Sequence, residues 1–518
     1  MVQVFSALLV FVLLFHTRPA AADNAEPDPW EWTIAQIHDG IRQRDISCQQ
    51  LVEAYLRRIE AYDQTSGLNA IVLVNPEAMA IARDLDAEFR KTGKLRPLHG
   101  IPVIVKDNYN TRGLQTTAGF AGLKDFKPQE NADQVQKLID VGAIVLAKSN
   151  MAEWAFSPMH TISSTAGETV NPYDLSRVPA GSSGGTAAAI AASFGAVGLG
   201  TDTGNSIRGP SSHCALVGFR STLGLTSRHG IVPLYLRNDV GGPMCRTVED
   251  ATRVLDVIAG YDPRDPITIR GRERVPSDYT QFLRADGLQG ARIGVLRELS
   301  DADPDPEIAA LFENAIADLA RLGAEIVDPF EVPRFQELAA DQWCADFKKD
   351  IESYLQAFVG DAFVQTLDDI VATSVYADEA VKEGLEYFLA NEGRGEESTI
   401  PCGDPFTDER RIAFREAIEQ AMDRLNLDAI IYPTWNHPPA KLEEFRTAYR
   451  GDNSQIIAPH TGQPAFTVPM GFVQEKWPAG LQILGRMFDE PRLIRVAYAY
   501  EQATHHRVPP AAFPALGR

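Results

Sequence analysis

Residues 182–202 read SSGGTAAAIAASFGAVGLGTD, and this run sets the fold class. Two serines and two glycines lead into an alanine-rich segment suited to a helix, since alanine loses least on entering one. Gly195 breaks that segment, and AVGLG then reads as a buried strand. The same order of helix, glycine and strand occurs upstream in NADQVQKLIDVGAIVLAKSN, residues 131–150. Before it, GIPVIVKDNYN (100–110) is a short β-branched run that ends in charge. Further strands are expected downstream at ARIGVL, AEIVD, DAIIYPT, AFTVPM and AGLQILG, with DPEIAALFENAIADLARLGA as a helix among them. Two amphipathic stretches open the chain. TIAQIHDGIRQRDISCQQLVEAYLRRIEAYD has helical periodicity, and PEAMAIARDLDAEFRKTG is a helix closed by Gly93. Strands alternating with helices predict a largely parallel sheet covered on both faces. No linker divides the chain; its least regular part, about 330–425, reads as a helical insertion.

The 518 residues are 44% hydrophobic and 23% charged, as expected of a chain that buries a large core. A formal charge of −21, with no run rich in Lys and Arg, argues against nucleic-acid binding. The extreme N-terminus differs from the rest. VFSALLVFVLLF followed by Ala20–Ala22 reads as a signal peptide over residues 1–22, cleaved near Asp23, with the remaining 23–518 exported. No Lys or Arg precedes the apolar run, so an uncleaved anchor is the competing reading. Cys48, Cys214, Cys245, Cys344 and Cys402 form no metal-ligand spacing, and mostly buried free thiols are expected.

Three segments could carry chemistry. Lys106 closes the apolar run VIVK; burial there lowers a lysine pKa and makes a neutral general base. A surface lysine capping a strand is the plainer alternative. GSSGG, with Ser182 and Ser183, fits the G-x-S-x-G nucleophile elbow with Ser183 as nucleophile and a histidine such as His460 as base. That reading requires a strand before Gly181, and LSRVPA makes a poor one. A polar glycine-rich loop ahead of a helix, or a plain turn with a capping serine, fits the same residues. The third segment is TDTGNS. Backbone N–H groups of Thr203, Gly204, Asn205 and Ser206 can turn toward one point as an oxyanion hole. Gly204 is expected to permit the turn, and Asn205 tolerates positive φ. Taken together, the segments supply a base, a hydroxyl relay and a nucleophile, and no histidine is required.

The chain resembles the amidase signature enzymes. LHGIPVIVKDN, AKSNMAEWAF, NPYDLSRVPAGSSGGTAAAIAA, GLGTDTGNSIRGPSS, GFRSTLGLTSRHGIVP and AGLQILGRMFDEPRLIRVAYAYEQAT follow that family's order, over about residues 35–505. The resemblance implies a single α/β/α domain around a large mixed, mostly parallel sheet. It implies hydrolysis of a small-molecule amide through an acyl-enzyme, without metal or organic cofactor. Lys106 then matches the general base, Ser182 a relay serine that precedes an unusual cis peptide bond, and Ser206 the acylated nucleophile. Thr203, Gly204, Asn205 and Ser206 match the oxyanion loop, with Ser183, Asp202 and Arg208 in support. Asn205 departs from the family, where many members carry glycine; its side chain either narrows the site or donates a further hydrogen bond. Trp154, Tyr235, Trp343 and Trp435 are candidates for the acyl pocket. Two other readings remain: a glutaminase-type amidotransferase component working with partner proteins, and a catalytically dead amide-binding protein. Oligomeric state stays open, a homodimer among the options.

Overall fold

The computed structural model describes residues 28–343, 346–391 and 403–517. Residues 1–22, expected from the sequence to be a signal peptide, and Cys344 and Cys402 lie outside the described residues. The long periodic run at 33–63 forms two helices, Ile34–Gln43 and Cys48–Ser66. The break has a local cause. Arg44 adopts a left-handed φ of 64°, and Ser47 starts the second helix with a capping box to Gln50, as Thr33 does with Gln36 for the first. The helix Ala78–Thr92 ends at Gly93, φ 64°, as its sequence indicates.

Among the described residues, thirteen strands occur in chain order. They are β1 (Ile71–Val74), β2 (Pro102–Lys106), β3 (Ile144–Ser149), β4 (Thr161–Ser163), β5 (Gly167–Thr169), β6 (Val197–Asp202) and β7 (Val217–Arg220). Then come β8 (Val240–Cys245), β9 (Arg292–Val295), β10 (Glu325–Val327), β11 (Ala429–Pro433), β12 (Ala465–Val473) and β13 (Trp477–Leu484). β4 and β5 pair as a separate hairpin; the other eleven form one sheet in the order β1-β3-β2-β6-β8-β7-β12-β13-β11-β9-β10. The sheet is mixed, as expected for an α/β chain of this kind. β3-β2-β6 and β11-β9-β10 pair in parallel. The stretch from β6 through β8, β7, β12 and β13 to β11 is antiparallel, as is the β1 edge.

β8 carries little strand signal in its sequence, VGGPMC, yet it runs between β6 and β7. Space explains its glycines: a Cβ on Gly242 would lie 2.4 Å from the Phe219 carbonyl oxygen, and one on Gly241 2.5 Å from the Tyr109 hydroxyl. The helix Gly184–Ala191 is buried along its whole length and packs on β2, β6 and β8. Its opening glycine is likewise a matter of close approach, since a Cβ on Gly185 would meet the Asn150 carbonyl at 2.2 Å.

Between β10 and β11 every described element is helical: Phe335–Ala339, Phe347–Tyr354 running on through Val359, Leu367–Ala372, Glu379–Ala390 and Glu409–Arg424. Part of this segment builds a second apolar cluster of its own. Phe347, Leu385 and Phe388 pack there with Phe120, Met151 and Trp154, away from the main sheet core. Through Ala155, Phe156, Leu234, Tyr235 and Trp343 this cluster roofs the cavity that lies over the loop after β6. Among the described residues, no helix is long and apolar enough to cross a membrane.

Candidate active site

β2 and β6 are parallel neighbours in register at Val105 and Leu199. Their pairing sets the last residue of β2, Lys106, beside Thr201 near the end of β6. Lys106 is completely buried, with Nζ 2.7 Å from Ser182 Oγ and 2.8 Å from Thr201 Oγ1. Asn108 Nδ2 donates to the same threonine hydroxyl at 3.1 Å. Burial lowers the Lys106 pKa to about 7, against the pull of Asp202 and Asp239 in the other direction.

The Gly181–Ser182 peptide is cis. The cis bond therefore lies on the N-terminal side of Ser182; the expectation that the serine precedes it is corrected. Gly181 fits between two carbonyls, since a Cβ there would come within 2.3 Å of the His160 oxygen and 2.4 Å of that of Ser157. No strand leads into Gly181; the residues before it are turns with isolated bridges, followed by irregular backbone at 178–180. This removes the geometric basis of the Ser183 elbow. Ser183 is buried, donates through Oγ to the Thr201 carbonyl at 3.2 Å and makes no side-chain cap to its helix. His460 packs edge-on against Trp343 and is held well below its ordinary pKa by burial.

The loop after β6 holds Thr203, Gly204, Asn205 and Ser206. None of their four backbone N–H groups donates to a described residue. The loop turns without left-handed residues: neither Gly204 nor Asn205 has positive φ, contrary to the conformational argument from sequence. Gly204 is required by space instead. A Cβ on it would lie 2.9 Å from the Trp343 ring and 3.1 Å from Gln455 Oε1.

Two arginines brace the loop through Asp202. Arg208 Nε donates to Asp202 Oδ2 at 3.0 Å, and its Nη2 reaches both Oδ1 at 3.1 Å and the Gly204 carbonyl at 2.6 Å. Arg220 Nη1 adds a bond to Asp202 Oδ1 at 2.9 Å. Burial works against a charge on Asp202, but the two guanidinium groups outweigh it and hold the carboxyl down at about 2. Thr203 Oγ1 donates to Asp239 Oδ1 at 2.5 Å, and Asp239 also accepts from the backbone N–H of Leu234 and Tyr235. The loop is thus joined to one wall of the cavity above it. Arg220 lies in the family-like segment GFRSTLGLTSRHGIVP but was not singled out there, and Asp239 belongs to no motif read from the sequence; β7 and the turn before β8 bring them here.

The cavity over this loop has a volume of about 270 Å³. Thr203–Ser206 form its floor, and Phe156, Leu234, Tyr235, Trp343, Tyr449 and Gln455 form much of its wall. Of the four aromatic candidates, Tyr235 and Trp343 line it. Trp154 belongs to the apolar cluster of the roof, and Trp435 lies behind the floor against His213 and Tyr449. Ser206 Oγ donates to Asn205 Oδ1 at 3.3 Å, and no hydrogen bond joins Ser206 to Ser182. Asn205 does donate further hydrogen bonds, but away from the cavity, to Asp452 Oδ2 at 2.9 Å and the Pro158 carbonyl at 3.2 Å. Cys48, Cys214 and Cys245 are free and buried, away from the cavity lining, and burial raises all three thiols.

The Amidase family model matches residues 50–494. A probable amidase of Arabidopsis thaliana is 35% identical over 501 residues, covering 93% of this chain and 91% of its own length. A glutamyl-tRNA(Gln) amidotransferase chain from Caldanaerobacter subterraneus is 34% identical over 500 residues, covering 93% of this chain and 98% of its own. Among solved structures, the native peptide amidase of Stenotrophomonas maltophilia is similar with a TM-score of 0.80 at 35% identity. That match covers 94% of this chain and 99% of the other.

Proposed function

The chain belongs to the amidase signature family, and from that membership we propose that it hydrolyses an uncharged carboxamide with an apolar or aromatic acyl group. Ser206 attacks the carbonyl carbon. Its proton passes to Ser182 as Ser182 gives its own to the neutral amine of Lys106, so one base serves a nucleophile it does not touch. The negative charge that develops on the carbonyl oxygen is met by the free N–H groups of the Thr203–Ser206 loop, each donor being worth about 3 kcal/mol in comparable sites. The amine leaves with the proton returned from Lys106, and water cleaves the Ser206 ester along the same relay. The observation that carries this reading is the fully buried Lys106 held 2.7 Å from Ser182, with a pKa lowered to about 7. Ser206 Oγ is bonded to Asn205 Oδ1 in the structure, so the scheme requires its hydroxyl to turn to Ser182. With a signal peptide at 1–22, the enzyme would act after export, and no cofactor enters the scheme.

A second reading, an amidotransferase component releasing ammonia from glutamine, is favoured by relatives that carry the amidotransferase name. The cavity weighs against it. Its lining includes no Lys, Arg, Asp or Glu, so a free amino acid would bury an ammonium and a carboxylate without partners, at a cost of at least several kcal/mol. A panel of amides that includes glutamine, with mass spectrometry of the trapped enzyme, tests both. We expect an acyl adduct on Ser206 from neutral aromatic amides, abolished in Ser206→Ala and retained in Ser183→Ala. Adducts on Ser183, or ammonia from glutamine alone, would overturn the proposal.

A further inference from the structure

A second, much smaller cavity of about 10 Å³ adjoins the relay. Asn108, Thr201, Thr203 and Asp239 are among its lining residues. That volume is the size of a single water.

The hydrogen bonds at its edge have a fixed polarity. Asn108 is buried, and its Nδ2 donates to Thr201 Oγ1 at 3.1 Å and to the Val232 carbonyl at 3.4 Å. A carbonyl oxygen only accepts, so reversing the amide would set two oxygens together. Both protons of Nδ2 are thereby placed, and Asn108 Oδ1 has no partner among the described residues. Thr201 Oγ1 accepts from Asn108, which leaves it one lone pair and one proton. Either could face Lys106 Nζ, 2.8 Å away. The choice decides whether the amine can act as a base. A neutral amine has a single lone pair. With the Thr201 proton turned to it, the amine has nothing left with which to take a proton from Ser182. With the Thr201 proton turned away, the amine donates to Thr201 and keeps its lone pair for Ser182.

Asn108 Oδ1 lacks a donor, and the Thr201 hydroxyl donates to no described residue. Both residues line a cavity of water size, and a water supplies the donor and the acceptor together. Asp239, on the same lining, offers an acceptor for its second proton. We propose that this cavity binds one water, which donates to Asn108 Oδ1 and accepts from the Thr201 hydroxyl, and which thereby keeps the Lys106 lone pair directed at Ser182. Asn108 and Thr201 are positioning residues in this scheme. The water site stands on the cavity and the two unmatched groups; its use in catalysis rests on the amidase reading.

A high-resolution crystal structure of the unmutated chain tests the site without any turnover. One ordered water within hydrogen-bond distance of both Asn108 Oδ1 and Thr201 Oγ1 is expected. A dry cavity, or a water that touches only one of them, overturns the proposal. The pH profile of kcat tests the use. Asn108→Leu removes the water's acceptor and frees the Thr201 proton to turn to the amine. A hydrogen bond donated to the neutral amine favours the neutral form. The midpoint of the rise in kcat with pH should therefore move down by about half a unit, and the plateau should fall about fivefold, as expected of one redirected hydrogen bond. Thr201→Ser, which keeps the hydroxyl, should leave the midpoint where it is. A merely structural loss that let solvent reach Lys106 would move the midpoint up, toward an ordinary lysine. An unchanged or raised midpoint in Asn108→Leu overturns the positioning role, and the water density remains a test in its own right if that variant does not fold. Absence of turnover by the unmutated enzyme would overturn the amidase reading and leave the density to decide this proposal.

Discussion

Replacing Lys106 by methionine should abolish turnover and make the folded protein more stable. The reasoning starts from burial. Lys106 is fully enclosed and its pKa falls from an ordinary 10.5 to about 7. Between those values the unfolded chain carries a proton that the folded chain has released. Folding therefore costs about 4 kcal/mol at pH 7, about 2 at pH 9 and about 1 at pH 10, from 1.36 kcal/mol per pH unit. Methionine has a similar length and no charge to desolvate. It loses the bonds to Ser182 and Thr201, worth about 2 kcal/mol together. The net expectation is a variant about 2 kcal/mol more stable at pH 7, about equal at pH 9 and less stable at pH 10. The sign follows from linkage: a lysine depressed in the folded state makes the unmutated protein gain stability as pH rises from 7 to 10.5, and the variant lacks that gain. Urea unfolding of both proteins at several pH values reads the difference directly. Turnover of the unmutated enzyme should rise with pH through about 7, as the same amine becomes neutral. A Lys106→Met protein that is less stable at every pH by a constant amount would refute the argument, since it would mean that the lysine is charged in the fold and cannot be the base.

Gly204→Ala should leave the fold intact but raise KM for aromatic amides about tenfold or more, because the new methyl would press on the Trp343 ring and Gln455 Oε1; steady-state kinetics on a size series of acyl groups checks this, and smaller acyl groups should suffer less. Asp202→Asn should destabilise the protein by about 3–5 kcal/mol, since it leaves the buried Arg208 and Arg220 without their counter-charge; denaturant unfolding measures it, and a loss under about 1 kcal/mol would mean that the arginines find other partners.

Several elements were legible in the sequence because they depend on local pattern. The alanine-rich helix that opens with Gly184-Gly185, the apolar strand ending in Lys106, and Gly93 as a helix stop all follow from neighbouring residues alone. The resemblance to the amidase signature enzymes marked Lys106, Ser182 and Ser206 for the same reason: their segments keep a recognisable local order. β8 was not legible. Its Gly-Gly-Pro composition disfavours a strand, and it is one only because Phe219, Tyr109 and Gln134 close in on it from distant parts of the chain. The break at Arg44 was hidden for another reason: helical periodicity continues through it, and only the Ser47 cap reveals two helices.

Asn205 shows where local reading stops. The sequence established that an amide side chain stands beside the proposed nucleophile and that its backbone N–H is retained. It did not establish where the side chain points, because that depends on Asp452, 247 residues away. Gly204 is similar: the sequence assigned it a conformational purpose, and the fold gives it a steric one, imposed by Trp343 and Gln455. The sequence by itself thus determined the α/β class, the family and the segments proposed to carry chemistry, because propensity, periodicity and motif spacing are properties of short stretches. Only the tertiary structure decided the pKa of Lys106, the face of the Asn205 amide and the uncharged cavity above it. Burial, hydrogen-bond competition and close approach are set by residues that the chain brings together only when it folds.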